Sequence, residues 1–439
     1  MMLLAGAAEA VITPPLGVEM LEPKGTPAMN VQEDLYLRVL ILSDGGTTVA
    51  VAAMDLAGLD PDLVARIRSA VQAAADIPPA CLMLTVTHNH SAPLTLSWGC
   101  LGQERRDRAW ENKLIGIIAE TVAVARTALA PAKLYAGRTE YRLGVNRREI
   151  KNGKATMGIN PSGPTAPWLD VLRVDRAAGG LRAVLMTHAA HPVIVHRSAT
   201  GWNADYPGAA TRTARGLLPD QPVVMFVQGC ARDLNAQPLG GGLAAAEAAG
   251  AGLGEAAART VLAAAPLSVG PLRTGVKRVQ LPFAPSSEAE VEAELASRQR
   301  ALAEMIGRDA GAETLYDARD NAACLERRLS RLRRGELPSG QPFEAQAIAC
   351  GRDLVLLALS GEPFVAYQLF AEARSSFRHT MVFGYANCSE GYLPTAADLP
   401  YGGYETVGAP RFFSVPPLAS DCEDLIKAAV EGLLTDLWQ

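Results

Sequence analysis

The chain has 439 residues, 49% of them hydrophobic and 20% charged, which is enough apolar material for one large domain or two to three ordinary ones. The formal net charge is −5, and Lys and Arg gather on no motif with interleaved aromatics, which excludes a nucleic-acid partner. No apolar run is long enough to insert stably in a membrane, and seven scattered cysteines without a CxxC exclude a disulfide framework and a cysteine zinc site.

The opening ten residues lack a basic region, and Glu9 interrupts their short apolar run, so they read as cytoplasmic rather than secretory. Residues 8–13 read as a first strand stopped by Pro14-Pro15. Residues 37–42 and 48–54 form a hairpin around Asp44-Gly45-Gly46, and 62–75 an amphipathic helix. A short apolar strand follows over 81–87, then a long helix over 110–129. A second hairpin spans 172–176 and 181–187. Next come a helix over 204–217, a buried strand over 223–227 and an Ala- and Gly-rich helix over 243–264. Residues 286–336 differ: 288–310 and 313–334 are charged and helical in period, a hairpin read as a solvated insertion, with a lid or dimer contact as the alternative. A hairpin over 345–350 and 354–360, a helix over 363–376, a strand over 381–385, an aromatic loop over 387–405 and a helix over 419–437 close the chain. The pattern predicts α/β with a mixed sheet, one catalytic domain over 1–439 carrying the insertion 286–336.

Five of the six histidines sit in two short clusters, each after an apolar strand. One is Thr87-His88-Asn89-His90-Ser91-Ala92-Pro93; the other runs from His188 through His191 to His196. Neutral imidazole is the commonest zinc ligand, and metal sites draw on segments far apart in sequence. Other polar groups also follow apolar strands: Asn146-Arg147, Asn203 to Tyr206, Arg232-Asp233-Leu234-Asn235, Glu362, and a run holding Tyr385, Tyr392, Tyr401 and Tyr404. Imidazoles and a carboxylate can hold zinc with one position open to water, and an arginine or second histidine can stabilise an oxyanion. A tyrosine can ligate, donate a proton or orient substrate.

These residues resemble the N-terminal catalytic domain of the neutral ceramidases. The resemblance covers nearly the whole chain. It begins at Ala8-Glu9-Ala10-Val11-Ile12-Thr13-Pro14 and passes through Asp55-Leu56. The segment Thr87 to Pro93 is similar to the family's THTHSGP. Asn146-Arg147, His191 with Asp205, Gly361-Glu362, and Tyr392 to Tyr404-Glu405 resemble its later motifs in order. The resemblance implies one zinc per chain, bound by His88, His191, Glu362 and Tyr392. His88 rather than His90 is assigned because the first histidine of that motif is the family's ligand. It also implies that His90, Arg147, Tyr401 and Tyr404 line the pocket, while His188 and His196 match no family role and read as polar strand-end residues.

Two departures shape the expected function. The family's Gly-Asp-Val-Ser-Pro-Asn loop aligns with Arg232-Asp233-Leu234-Asn235-Ala236-Gln237, so Asn235 stands where the family has a serine. An amide side chain cannot attack a carbonyl, and Cys230 is the nearest substitute nucleophile. The chain also stops where ceramidases continue into an immunoglobulin-like domain. The reading is a zinc-dependent amidohydrolase that cleaves a linear amide, not ceramide, by attack of a metal-activated water. His90 relays a proton, Arg147 and a tyrosine meet the oxyanion, Asp233 orients a histidine or the water, and Asn235 positions substrate. An esterase or lactonase on the same zinc, or a metal-containing binding protein without catalysis, are the alternatives. The partner is a small-molecule amide, and a homo-oligomer stays open.

Overall fold

Strand alternation organises this molecule into four layers. In the strand Tyr36–Ser43, Leu37, Val39 and Ile41 face one core, while Leu40 and Leu42 face another. Successive strand side chains point to opposite faces, so a strand apolar at every position must be covered on both sides. On one side lie the helices Pro61–Ala75, Arg108–Thr127, Asp205–Leu217 and Leu243–Ala263, through residues such as Ile67, Ile118, Ala210 and Leu253. On the other side lies a second sheet, through Ile348, Leu356, Ala358 and Met381. The alternate residues of that second sheet, Ala347, Val355 and Leu357, meet the helices Val365–Arg374 and Cys422–Trp438. The order is helix, sheet, sheet, helix. The computed structural model describes residues 2–389 and 391–439; Met1, in the opening segment, and Glu390, in the predicted aromatic loop, lie outside the described residues.

The first sheet runs Val223–Gln228, Leu181–His188, Trp168–Arg176, Ala130–Glu140, Leu4–Val11, Tyr36–Ser43, Thr48–Met54, Leu82–Val86, with Ala265–Pro266 added to Ala130–Glu140. Its two outer pairs are parallel and the pairs between them antiparallel, the mixed sheet expected. Its middle joint is narrow. Only Leu4–Pro131 and Ala5–Ala130 pair across it. The outermost strands approach beyond their ends, where Gln228 Nε2 donates to Thr87 O at 3.4 Å.

The second sheet runs Leu272–Pro282, Gly340–Cys350, Leu354–Leu359, His379–Phe383. The long strands Ala130–Glu140 and Leu272–Pro282 escape the sequence reading. Each mixes apolar residues with Arg, Lys or Glu, and Leu272–Pro282 is a largely half-exposed edge. The first strand begins earlier than predicted, because Leu4 to Ala7 pair in register with Leu40 to Ser43.

Side-chain caps mark some of the helix starts. Asp60 Oδ1 accepts the Leu63 amide at 2.9 Å, and Pro61 opens the helix. Ser287 and Glu290 form a reciprocal capping box ahead of Glu288–Gly307. That helix and Ala312–Arg334 share a small core of Val291, Leu325 and Leu329. The pair is inserted between two adjacent strands of the second sheet, whose ends Pro282 and Gly340 face each other. Among the described residues no helix is long and apolar enough to cross a membrane.

Candidate metal centre

The loops after five strands bring their polar residues to one buried cluster. The strand Leu82–Val86 ends before His88, so His88 and His90 lie in the loop and do not share a strand face. His88 instead turns the chain at φ 62°, in the left-handed region. Its Nδ1 donates to Ala57 O at 2.5 Å, which leaves the Nε2 lone pair facing the cluster. His90 Nδ1 donates to Glu22 Oε2 at 3.1 Å, and its Nε2 lies 2.9 Å from His191 Nε2. His191 Nδ1 faces Arg147 Nη1 at 3.0 Å. A guanidinium only donates, so His191 accepts at Nδ1, carries its proton on Nε2 and donates it to His90. Burial lowers the His90 imidazole to about 4 despite Glu22 beside it, and holds His191 well below its ordinary value with Arg232 adding to the effect. Both rings are neutral at pH 7.

Glu362 and Tyr392 pair as neighbours in a short parallel ladder, so one backbone contact sets both. Glu362 Oε2 lies 3.2 Å from His88 Nε2 and 2.8 Å from Arg232 Nη1. The same Nη1 lies 3.3 Å from His88 Nε2 and 3.3 Å from His191 Nε2. The Arg232 Cζ sits 4.0 Å over the Tyr392 ring, and Tyr392 Oη is 3.2 Å from Tyr404 Oη. Burial pushes the Glu362 carboxyl up, but Arg232 and His88 outweigh it, and the group is held below its ordinary value.

The donor chemistry fits a divalent cation. His88, His90 and His191 each offer a ring nitrogen, all within 4.8 Å of one another. Ligands of one zinc, each about 2 Å from the ion, spread over about 4 Å. Glu362 Oε1 is buried without a partner, and Oε2 is held by the Arg232 guanidinium at 2.8 Å, a place that a cation already occupies. A second group, Glu22 with His90 and His196, has ligand atoms equally close.

No family model matches the chain, and no curated protein matches it in sequence. Solved structures do. The neutral ceramidase from Pseudomonas aeruginosa superposes with a TM-score of 0.71 at 16% identity, covering 99% of this chain and 75% of that one. A ceramidase complexed with C2 gives 0.72 at 15%, covering 100% of this chain and 75% of that one. The chain has the neutral ceramidase fold.

On this ceramidase fold most of the expected site residues meet. His88, His90, Arg147, His191, Glu362, Tyr392 and Tyr404 form one connected group. Asn235 joins it, its Oδ1 accepting from Arg147 Nη1 at 3.1 Å. Asp233 touches no histidine: it accepts the Val365 amide at 2.8 Å and Asn146 Nδ2 at 3.3 Å, tying three loops together. Burial raises its carboxyl to about 7. Tyr401 stands at the surface, 42% exposed. Cys230 is buried, and burial pushes its thiol well up, which makes it a poor nucleophile. His188 donates to Trp168 O at 2.8 Å at its strand end, while His196 lies 2.8 Å from Glu22.

Four members of the group carry no assigned role in the sequence. Glu22 holds His90; Glu405 accepts from Arg147 at 2.8 Å and Arg148 at 2.6 Å; Tyr385 stacks on His88 at 4.2 Å with its hydroxyl unpartnered; Arg232 stands in the middle. Arg232 carried the one readable signal, a charged residue opening the loop after a buried strand. A cleft of about 510 Å³ lined by Arg327, Arg331, Phe283 and Phe412 shares Gln341, Gly391, Phe413 and Val415 with a small pocket lined by Tyr392 and Glu405.

Proposed function

We propose that this protein is a zinc-dependent hydrolase that cleaves a linear amide other than ceramide, through direct attack by water. The observation that supports this reading is that His88, His191 and Glu362 all approach Arg232 Nη1, with the Tyr392 ring under the same guanidinium, in one buried cluster of a ceramidase fold. These four would hold the ion. The chemistry zinc supplies when bound is Lewis acidity toward the carbonyl and toward water.

The surrounding residues have separable tasks. Neutral His90, oriented by Glu22, takes a proton at Nε2. Arg147 is fixed by Glu405 and Asn235, and its Nη2 is buried without a partner, a donor available to a developing oxyanion. Tyr404 is protonated, since burial raises its phenol, and can deliver a proton to the leaving nitrogen. Asn235 orients the substrate amide, Asp233 holds the loops, and Tyr401 meets substrate at the rim. Asn235 is no nucleophile and Cys230 is buried, so no acyl-enzyme is expected. Zinc-loaded protein assayed on paired amide and ester substrates, with intact mass recorded during turnover, tests this. Zinc-dependent amide cleavage on unmodified protein is the expected result. Ester cleavage alone favours the esterase or lactonase, and no cleavage of either would leave a binding protein.

A further inference from the structure

We propose that Arg232 is the resident cation of this centre and a built-in competitor for the metal, so that guanidinium and divalent ion are alternative occupants. The inference rests on the metal reading above and concerns what controls it.

The contacts are those of an ion at a ligand set. One nitrogen, Nη1, faces the His88 Nε2 lone pair and Glu362 Oε2 and stands beside His191 Nε2, whose proton a metal would have to displace, and the guanidinium carbon covers the ring of the fourth expected ligand, Tyr392. Arg232 is 1% exposed and Glu362 fully buried, so this contact replaces water for both. A metal bonded to Glu362 Oε2 at about 2 Å would stand no more than about 5 Å from Nη1 where it now lies. Two cations that close in a dry interior repel strongly, and a guanidinium cannot lose its proton to relieve this. Metal entry therefore requires Arg232 to swing away.

The centre is also complete without an ion. Arg147 donates to His191, His191 to His90, His90 to Glu22, and His88 to Ala57 O. Glu362 has its countercharge in Arg232, and Glu405 in Arg147 and Arg148. One detail leaves exchange open: Arg232 Nε is buried with no partner, so the fork is only partly satisfied where it sits.

The test is zinc binding to chelator-treated full-length protein, by equilibrium dialysis with elemental analysis and by the zinc-induced shift in unfolding temperature. Arg232→Gly should bind one zinc per chain about tenfold to a hundredfold more tightly than wild type, the range seen when a group beside a metal site changes. Its unfolding temperature should rise with zinc more than that of wild type. Equal affinity in the two proteins, or weaker binding in the variant, overturns the competition and leaves the zinc reading standing. No binding by either overturns both. If Arg232→Gly does not fold, Arg232→Lys, which keeps the charge but shortens the reach, should show an intermediate gain, and an unchanged affinity would overturn the proposal.

Discussion

Two regions of this molecule use the same chemistry to opposite ends. In the candidate metal centre, the side chains of Arg232 and Glu362 are 2% and 0% exposed and share their surroundings with three histidines. On the helical pair, Arg333 reaches Glu288 and Glu292 with all three side chains about half exposed. Buried charges have lost their water, so each depends on its partner, and removing one leaves an uncompensated ion. Exposed charges keep their water, and their pairing adds little. The first arrangement fixes a geometry; the second keeps a surface solvated.

The sharpest test of the contrast is catalytic. His90→Ala should lower turnover about a hundred- to ten-thousand-fold while zinc content is kept, because the role proposed for His90 is to handle a proton rather than the ion. His191→Ala should lose both zinc and turnover. Metal analysis and kcat on the two purified variants decide, and the reverse pattern would reassign the ligands. Next in size is Glu362→Ala, which strands the Arg232 charge. It should destabilise the metal-free protein by about 3–5 kcal/mol in urea unfolding. A loss under about 1 kcal/mol would mean that water reaches the centre.

A third effect depends on pH. Asp233 has a folded-state carboxyl at about 7 against 3.8 ordinarily, because burial disfavours its charge. The protein binds that proton more tightly folded than unfolded, so the associated stability is full below about pH 4 and lost as pH rises through about 7. Asp233→Asn should flatten this part of the stability profile, read from urea midpoints at each pH; parallel profiles would count against it. The smallest effect belongs to the surface. Arg333→Ala should change stability by less than about 1 kcal/mol and leave zinc affinity untouched. A larger loss would show that the helical pair is coupled to the centre.

The sequence made part of this legible for physical reasons. Histidines are rare and were clustered, so His88, His90 and His191 stood out, and the ordered motifs pointed to the ceramidase fold. Hairpins such as Tyr36–Ser43 with Thr48–Met54 were readable because both strands are apolar and the turn residues lie between them. Glu22 and Glu405 were not, since a carboxylate in a loop carries no periodic signal and gains meaning only through the residue it meets. Arg232 is visible in the sequence as the arginine aligned with the glycine that opens the family's loop, but a charged loop residue alone does not show which groups it meets. Ala130–Glu140 is hidden because its apolar residues are mostly small alanines interrupted by Lys133, and its outer end alternates with charge at Arg138 and Glu140.

The narrow joint in the first sheet bears on how the chain folds. The strands on one side come from residues 4–86, and all but the short Ala265–Pro266 on the other come from 130–228, so each side can form largely from a continuous stretch of chain. Only Leu4–Pro131 and Ala5–Ala130 join the ladders. His88 directly follows the first stretch, His191 lies within the second and Arg232 just after it, and Glu362 belongs to neither. The candidate ligands thus come from three parts of the chain, and they stand together only where those parts pack against one another.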